Sequence, residues 1–446
     1  MPSRTRGDRE ADGGRTPVRQ DKEHGPTDDS QTTSRRPTAD PRYLSMNRTD
    51  DDALDSLTGW LIVALGLTIL VLDWGLIFTF TVYSDALASA FGLSGLQVSS
   101  VFSITTATFY VAGGLIGVLI ARVPLRPVVA VAGVGFGVAV ALLQVSGSYA
   151  GLVAAFALVG MAGGSMFVIV VSLVPQWFDQ YEGRAMGITM IGNGLGILVL
   201  PPLWIWLLER TGIRDAFAVV AGAMALVILG ASLVYRRPPG SRSTSSPVDV
   251  SWLRANLTDP RFVGALAGFS FLWSWYFVLS VDAVGVLTAN GISRSVAATA
   301  FGIIGGVSVA GRVASGEFGD RIGMRVTLTG GVALAALAMV ALPWMSSRLM
   351  MYALLVLFGI GLGTVAPLFS PIIIGRFGPA NATAIVGLFI LGQAATSFTT
   401  PVALNVLYDL SGGYTVPLLA VGGLTLLGGG LFYRGTAPTD DPTAGS

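Results

Sequence analysis

The chain has 446 residues, 52% hydrophobic and only 12% charged, with a net charge of +1 and a mean hydropathy of +0.68. Soluble domains carry about 25% charged residues, so this composition points to a membrane protein and away from a water-soluble one. Cysteine is absent, and the single lysine (Lys22) and single histidine (His24) both lie near the N-terminus. Disulfides and cysteine metal sites are therefore excluded, and hydrolases that need a Cys or His base are disfavoured.

Residues 1–56 hold 10 of the 27 basic and 12 of the 26 acidic residues, mixed with Gly, Pro, Ser and Thr. With no apolar face to bury, this segment is expected to be a disordered tail. It shows no signal-peptide pattern, and Met46 offers an alternative start to a shorter tail. From Trp60 the chain becomes a string of apolar runs, each near the roughly 20 residues that cross a bilayer as a helix. The expected spans are 59–84, 97–120, 127–146, 150–174, 184–208, 215–235, 261–288, 296–316, 325–343, 349–373, 381–406 and 414–433. The fold class is thus all-α with twelve transmembrane helices.

Arginine distribution predicts the orientation. One side holds Arg122, Arg126, Arg184, Arg236, Arg237, Arg242, Arg254, Arg261, Arg321, Arg325, Arg376 and Arg434; the other holds Arg210, Arg214, Arg294 and Arg348. The richer side should be cytoplasmic, with both termini on it and the chain in the cell membrane. Residues 236–260 read as a cytoplasmic linker between two six-helix bundles, 57–235 and 261–435, with 436–446 as a C-terminal tail.

The two halves repeat. Gly117–Arg126 (GVLIARVPLR) matches Gly316–Arg325 (GEFGDRIGMR) at an offset of 199, and Gly160 and Phe178 match Gly359 and Phe377 at the same offset. Gly187, Gly192 and Pro201 match Gly387, Gly392 and Pro401 at an offset of 200. Parallel six-helix repeats around a midplane site are one architecture of secondary transporters. Strings such as GVGFG lack the Lys-Ser/Thr ending of a phosphate loop and sit inside apolar spans, so nothing here reads as an ATPase or as a cofactor site.

The motif Gly316, Asp320, Arg321, Gly323, Arg325 (G-x-x-x-D-R-x-G-x-R) between the eighth and ninth spans resembles the major facilitator superfamily. The resemblance implies a gating latch, with the aspartate at a helix N-terminus and the arginines paired to acids of neighbouring helices. In the first-half copy Ala121 and Pro124 replace the aspartate and second glycine, leaving Arg122 and Arg126. The C-terminal latch is then expected to carry more of the gating, with Glu317 pairing to its arginines. Within the superfamily, Gly59–Trp60, the stretch DWGLIFTFTVYSDAL, Trp177–Ile188 and Gly291–Arg312 resemble monocarboxylate-transporter-like and oxalate/formate-type proteins. That resemblance assigns Arg312 to a substrate carboxylate. It also implies an aspartate four residues earlier, where this chain has Ser308, and a second cation in the first or eleventh span, where it has none.

Arg312 is the one basic residue deep in an apolar run, and burying it costs roughly 2.5–3.5 kcal/mol on insertion scales. A guanidinium fork matches a planar carboxylate; the structural alternative is an arginine paired to a neighbouring helix or reaching for the interface. Asp282 and Asp73 are the candidate proton-coupling acids, with H⁺ as a candidate co-substrate; they could equally be a rim residue and a packing group. Asn193, Gln393, Tyr83, Tyr110 and Tyr276, with Trp273 and Trp275, could line the cavity or simply pack. The stretch GNGLGILVLPP reads as close helix packing with a proline-shaped bend. The expected function is secondary transport of a small, singly charged organic anion by a monomer in the lipid bilayer, without cofactor, metal or nucleic acid. A carrier of uncharged or zwitterionic solutes, and a non-transporting receptor on the same fold, stay open.

Overall fold

A computed structural model describes residues 54–119, 124–238, 250–378 and 382–438. Residues 1–53 of the expected tail, 239–249 of the expected linker, Arg122, and 439–446 lie outside the described residues. Twelve helical segments are long and apolar enough to cross a membrane, and no strand occurs among the described residues. The first span is α1 (Leu57–Ile77) and α2 (Phe80–Phe91); the second to sixth are α3 (Gly95–Leu119), α4 (Leu125–Val145), α5 (Tyr149–Leu173), α6 (Glu182–Thr211) and α7 (Ile213–Val234). A short helix, α8 (Val250–Leu257), precedes the seventh span, which is α9 (Pro260–Leu272) and α10 (Ser274–Ala289). The remaining spans are α11 (Arg294–Ile322), α12 (Met324–Ala341), α13 (Arg348–Phe377), α14 (Ala382–Ser411) and α15 (Thr415–Gly435).

Helix starts follow local chemistry. Ser148 and Ser347 accept from Gly151 N and Met350 N at 3.2 Å, while Asp259 caps α9 ahead of Pro260 and accepts from Arg261 N at 2.8 Å. Exposed aliphatic side chains such as Val131, Leu226 and Leu233 face outward, where lipid replaces water.

Four helices, α6, α11, α13 and α14, run 29 or 30 residues. At 1.5 Å per residue that is about 44 Å, against a hydrocarbon core about 30 Å thick. Backbone hydrogen bonding continues past the lipid boundary, so the helices outrun their apolar stretches. α11 consequently passes beyond the expected end at 316. The latch motif expected in a loop is mostly helical: Gly316, Asp320 and Arg321 occupy the last two turns of α11. Only Gly323 stands between helices, at φ +93°, a conformation that suits glycine.

Two spans are broken in mid-course without a proline. In the first, the carbonyls beside the gap take side-chain donors: Gly75 O accepts from Thr79 Oγ1 at 2.5 Å and from Trp204 Nε1 at 3.0 Å, and Leu76 O accepts from Tyr83 OH at 2.7 Å. In the seventh, the chain tightens at Trp273, whose carbonyl accepts from Tyr276 N at 2.9 Å. The two breaks meet, because the Phe78 ring stacks on the Tyr276 ring at 5.3 Å between centroids.

The first six and last six spans touch along two main seams, α6 against α11 and α3 against α14, with α2 against α10 beside them. Small residues make the first seam possible. A Cβ at Gly305 would collide with Gly194 O, and one at Gly194 would reach 2.8 Å from Gly305 O and 3.0 Å from Ser308 Oγ. Gly192, on another side of α6, lies against Leu67 O of α1. Close approach of backbones through glycine is how apolar helices associate where lipid removes the hydrophobic drive.

Candidate functional site

Arg312 sits about two-thirds of the way along α11, counted from Arg294. It is half-buried, and one of its terminal nitrogens donates to the Met190 carbonyl of α6 while its Nε is buried without a partner. The guanidinium lies within electrostatic reach of the Tyr276 hydroxyl, which is likewise buried and without a hydrogen-bond partner. Tyr276 in turn lies within reach of Tyr110, whose ring meets Phe277 edge-on at 5.8 Å. Asn193 is one helical turn past Met190 on α6, buried, with its Oδ1 unpartnered. The fold thus gathers Arg312, Tyr276, Tyr110 and Asn193 from four spans of both halves, and three of them hold unused polar atoms.

Aromatic rings wall this cluster. Trp74 and Phe78 of the first span pack on each other at 5.0 Å, and Trp74 also meets Phe167 at 5.0 Å and Phe109 at 5.9 Å. Across the interface Trp273 stands 5.6 Å from Tyr276, and its indole nitrogen has no partner. Trp275 is turned elsewhere, stacked on Phe358 at 5.3 Å. Sequence reasoning missed Trp74 and Phe78, because only the two helix breaks bring them to Tyr276, and no proline marks either break.

The other expected site residues are placed apart. Tyr83 donates its hydroxyl to Leu76 O and packs its ring on Trp204 at 4.5 Å. Gln393 is buried on α14, whose neighbours include α3 and α9. Asp73 is fully buried on α1 against Gly163 of α5, with both carboxylate oxygens unpartnered. Asp282 lies in the middle of α10, beside the Tyr414 hydroxyl and within electrostatic reach of Asp85. Burial and that carboxylate push the Tyr414 phenol above its ordinary value, so it remains a donor. Ser308, at the position where the resemblance implies an aspartate, is buried and donates to Gly305 O of its own helix at 2.7 Å.

One latch arginine pairs with Glu317 as expected, but none pairs with acids of neighbouring helices among the described residues. Arg321 pairs with Glu317 at 2.6 Å, one turn back on the same helix, and both are mostly exposed. Arg325 meets no acid among the described residues: its Nε donates to Thr436 Oγ1 at 3.3 Å, another nitrogen donates to Tyr433 O, and its guanidinium carbon lies 4.3 Å from the Tyr433 ring centroid. The partners come from α15, brought alongside α12 by packing that sequence separation hides. Asp320 is exposed in the last turn of α11, not at a helix N-terminus, and Arg126 is exposed at the start of α4.

Contacts between the halves gather at the end of the bundle away from Leu57 and Gly435. There Asp85 pairs with Arg294, Asn405 donates to Ser99 Oγ, and Val284 N donates to Thr81 Oγ1 at 2.9 Å. Towards the other end, beyond Arg312 and Met190, added Cβ atoms at Gly183, Gly187, Gly316 and Gly387 would meet nothing within 4 Å. The far end is tied across the halves and the near end is looser at these positions.

Comparison with known proteins bears on what such a bundle does. The family described as Major Facilitator Superfamily matches residues 63–395 and 264–446. Monocarboxylate transporter 13 of Rattus norvegicus is 24% identical over 383 residues, covering 84% of this chain and 88% of that protein. Monocarboxylate transporter 11 of Homo sapiens is 25% identical, covering 84% and 82%. The Escherichia coli transporter YhjX, itself of uncharacterised function, is 24% identical, covering 75% and 85%. A crystal structure of a bacterial homologue of the human lysosomal transporter Spinster shares the fold, with a TM-score of 0.66 at 16% identity over 85% of this chain and 97% of that one.

Proposed function

The chain belongs to the Major Facilitator Superfamily of membrane transporters, and from that premise we propose that it moves a small monocarboxylate across the cell membrane by alternating access, with proton coupling. Bundles 57–235 and 261–435 rock about the midplane cluster, with both termini in the cytoplasm. Arg312 is the anion clamp. The observation that carries this reading is its buried, unpartnered Nε, on a guanidinium within electrostatic reach of the unpartnered Tyr276 hydroxyl and bonded to α6 one turn from the unpartnered Oδ1 of Asn193. A fork with one arm on a backbone carbonyl and the rest unused is ready for a planar, singly charged acceptor. One cation in the cluster favours a monocarboxylate over a dicarboxylate.

Asn193, Tyr110 and Tyr276 are the neighbours that orient the substrate, with Gln393 and Tyr83 further out. Asp282 or Asp73 carries the proton, each being an ionisable group inside a span. The latch of Gly316, Asp320, Arg321, Gly323 and Arg325, with Arg122 and Arg126 of the first-half sequence copy, gates the cytoplasmic side. The test is uptake of a labelled monocarboxylate into proteoliposomes, competed by a panel of acids and of neutral analogues. Competition by neutral or zwitterionic compounds alone would replace the anion reading with a carrier of such solutes. Saturable binding of the acid without uptake would indicate a receptor.

A further inference from the structure

A cleft of about 420 Å³ opens at the end of the bundle that carries Gly435, away from the Arg312 cluster. Arg325 and Val326 at the start of α12, Gly375 and Arg376 at the end of α13, and Tyr433 and Thr436 at the end of α15 line it, and none of the described lining residues is acidic. Arg325 is fixed at the cleft by its bonds to Thr436 and Tyr433. Arg376 lies over the Phe377 ring at 5.2 Å, with its Nε buried and lacking a hydrogen-bond partner. The cleft also takes in the first turn of α12, which no side chain caps. The first N–H groups of a helix have no partner within it, and they attract negative charge.

Two guanidinium groups and a bare helix start, with no carboxylate among the described lining residues, suit an anion. Depth and apolarity say which kind. The lining residues lie at or close to the ends of membrane-length helices, and Met324, Val326 and Ile372 give the cleft an apolar flank, the first two substantially exposed. A free ion has no use for that flank, whereas a phospholipid places its phosphate at headgroup level and its chains alongside aliphatic side chains. We propose that this cleft binds the headgroup of an anionic phospholipid, with Arg376 and Arg325 on the phosphate and Met324 and Val326 against the upper acyl chain. Basic pockets between spans at such a boundary are suited to acidic lipids.

The test uses purified full-length protein and native mass spectrometry, titrating dioleoyl phosphatidylglycerol against dioleoyl phosphatidylcholine. One phosphatidylglycerol should be retained preferentially, and Arg376→Gln should reduce its retention about five-fold, the weight of one arginine at a charged lipid surface. Gly375→Phe gives a second, charge-preserving variant. A Cβ there meets nothing within 4 Å, so the ring should fill the cleft without disturbing the helix and should also reduce retention. Equal retention of the two lipids, or preference for phosphatidylglycerol undiminished in both variants, would overturn the proposal. So would a rise in melting temperature with millimolar inorganic phosphate that phosphatidylglycerol does not produce, since that marks a free-anion site.

Discussion

Arg312 on α11 donates a hydrogen bond to the Met190 carbonyl on α6, so a cation well inside the eighth span is held by the backbone of the fifth. The contact is neutral on one side, and the guanidinium keeps its full charge. On the proposed function, an arriving carboxylate would meet a charge that is positioned but not neutralised.

Replacing Arg312 by alanine should raise the dissociation constant for the transported acid at least about 30-fold, the loss that follows when one member of a desolvated charge pair is removed. Lysine restores charge without the fork, so Arg312→Lys should fall between wild type and alanine. Equilibrium binding measured by calorimetry on both variants decides this. Unchanged affinity in both would remove Arg312 from the anion site.

The glycine seam between α6 and α11 should tolerate no side chain at its tightest point. Gly305→Leu meets Gly194 O and comes within 2.7 Å of Ile197 Cβ, so it should lower stability by about 1–3 kcal/mol or more through overpacking, and stop uptake. Gly306→Ala, with its nearest neighbour at 3.5 Å, is the matched control and should behave as wild type. Thermal unfolding in detergent, followed by uptake in liposomes, reads both. Equal melting temperatures for the two variants would contradict the seam.

At the far end, the Asp85–Arg294 pair is partly exposed and should contribute no more than about 1 kcal/mol. Its effect is expected in the conformational balance more than in melting temperature. The chain has no cysteine, so a single Ser84→Cys reporter has no background. Asp85→Asn should speed labelling of that cysteine by a membrane-impermeant maleimide, and high salt should do the same in the parent. The exchange Asp85→Arg with Arg294→Asp should bring the rate back. Failure of the exchange to restore it would show that the pair does not hold this end closed.

Removing the donor to Leu76 O by Tyr83→Phe leaves a buried carbonyl unsatisfied and should cost about 1–3 kcal/mol. The melting temperature should fall with ring packing on Trp204 retained. A variant as stable as wild type would mean another donor reaches that carbonyl.

Asp73→Asn and Asp282→Asn separate the two proton candidates. The variant that still takes up labelled acid but no longer acidifies the liposome lumen contains the lost proton carrier. Acidification at the wild-type rate in both would exclude proton carriage by either.

The spans and the basic residue inside the eighth were readable from local pattern, because hydropathy and charge act within a few residues. What Arg312 touches was not. Met190 is 122 positions away, and nothing in the chemistry of a methionine announces that its carbonyl will be used. The same holds for Arg325, which the motif pairs with acids but which folding seats on Tyr433 and Thr436 more than 100 residues later. Asp73 read as a candidate proton-coupling acid or a packing group because it is a charge in an apolar run. That it lies against Gly163 was not legible, since rotation about a helix axis is set by packing against neighbours that no single span encodes. Helices such as α11 overran their expected ends because hydropathy locates the lipid boundary, while backbone hydrogen bonding has no reason to stop there.

The breaks at Phe78–Thr79 and Trp273 divide each span into two levers with different attachments. α1 lies along α6, whereas α2 is tied to α10 through Thr81 and Val284. Opening the far end can then begin with two short levers pivoting as a pair, while the longer seams stay in register. The activation barrier for turnover would reflect a joint of a few residues, and the rate of the empty carrier's return should respond to substitutions at Thr79 and Trp273 far more than to equal changes elsewhere along the same helices.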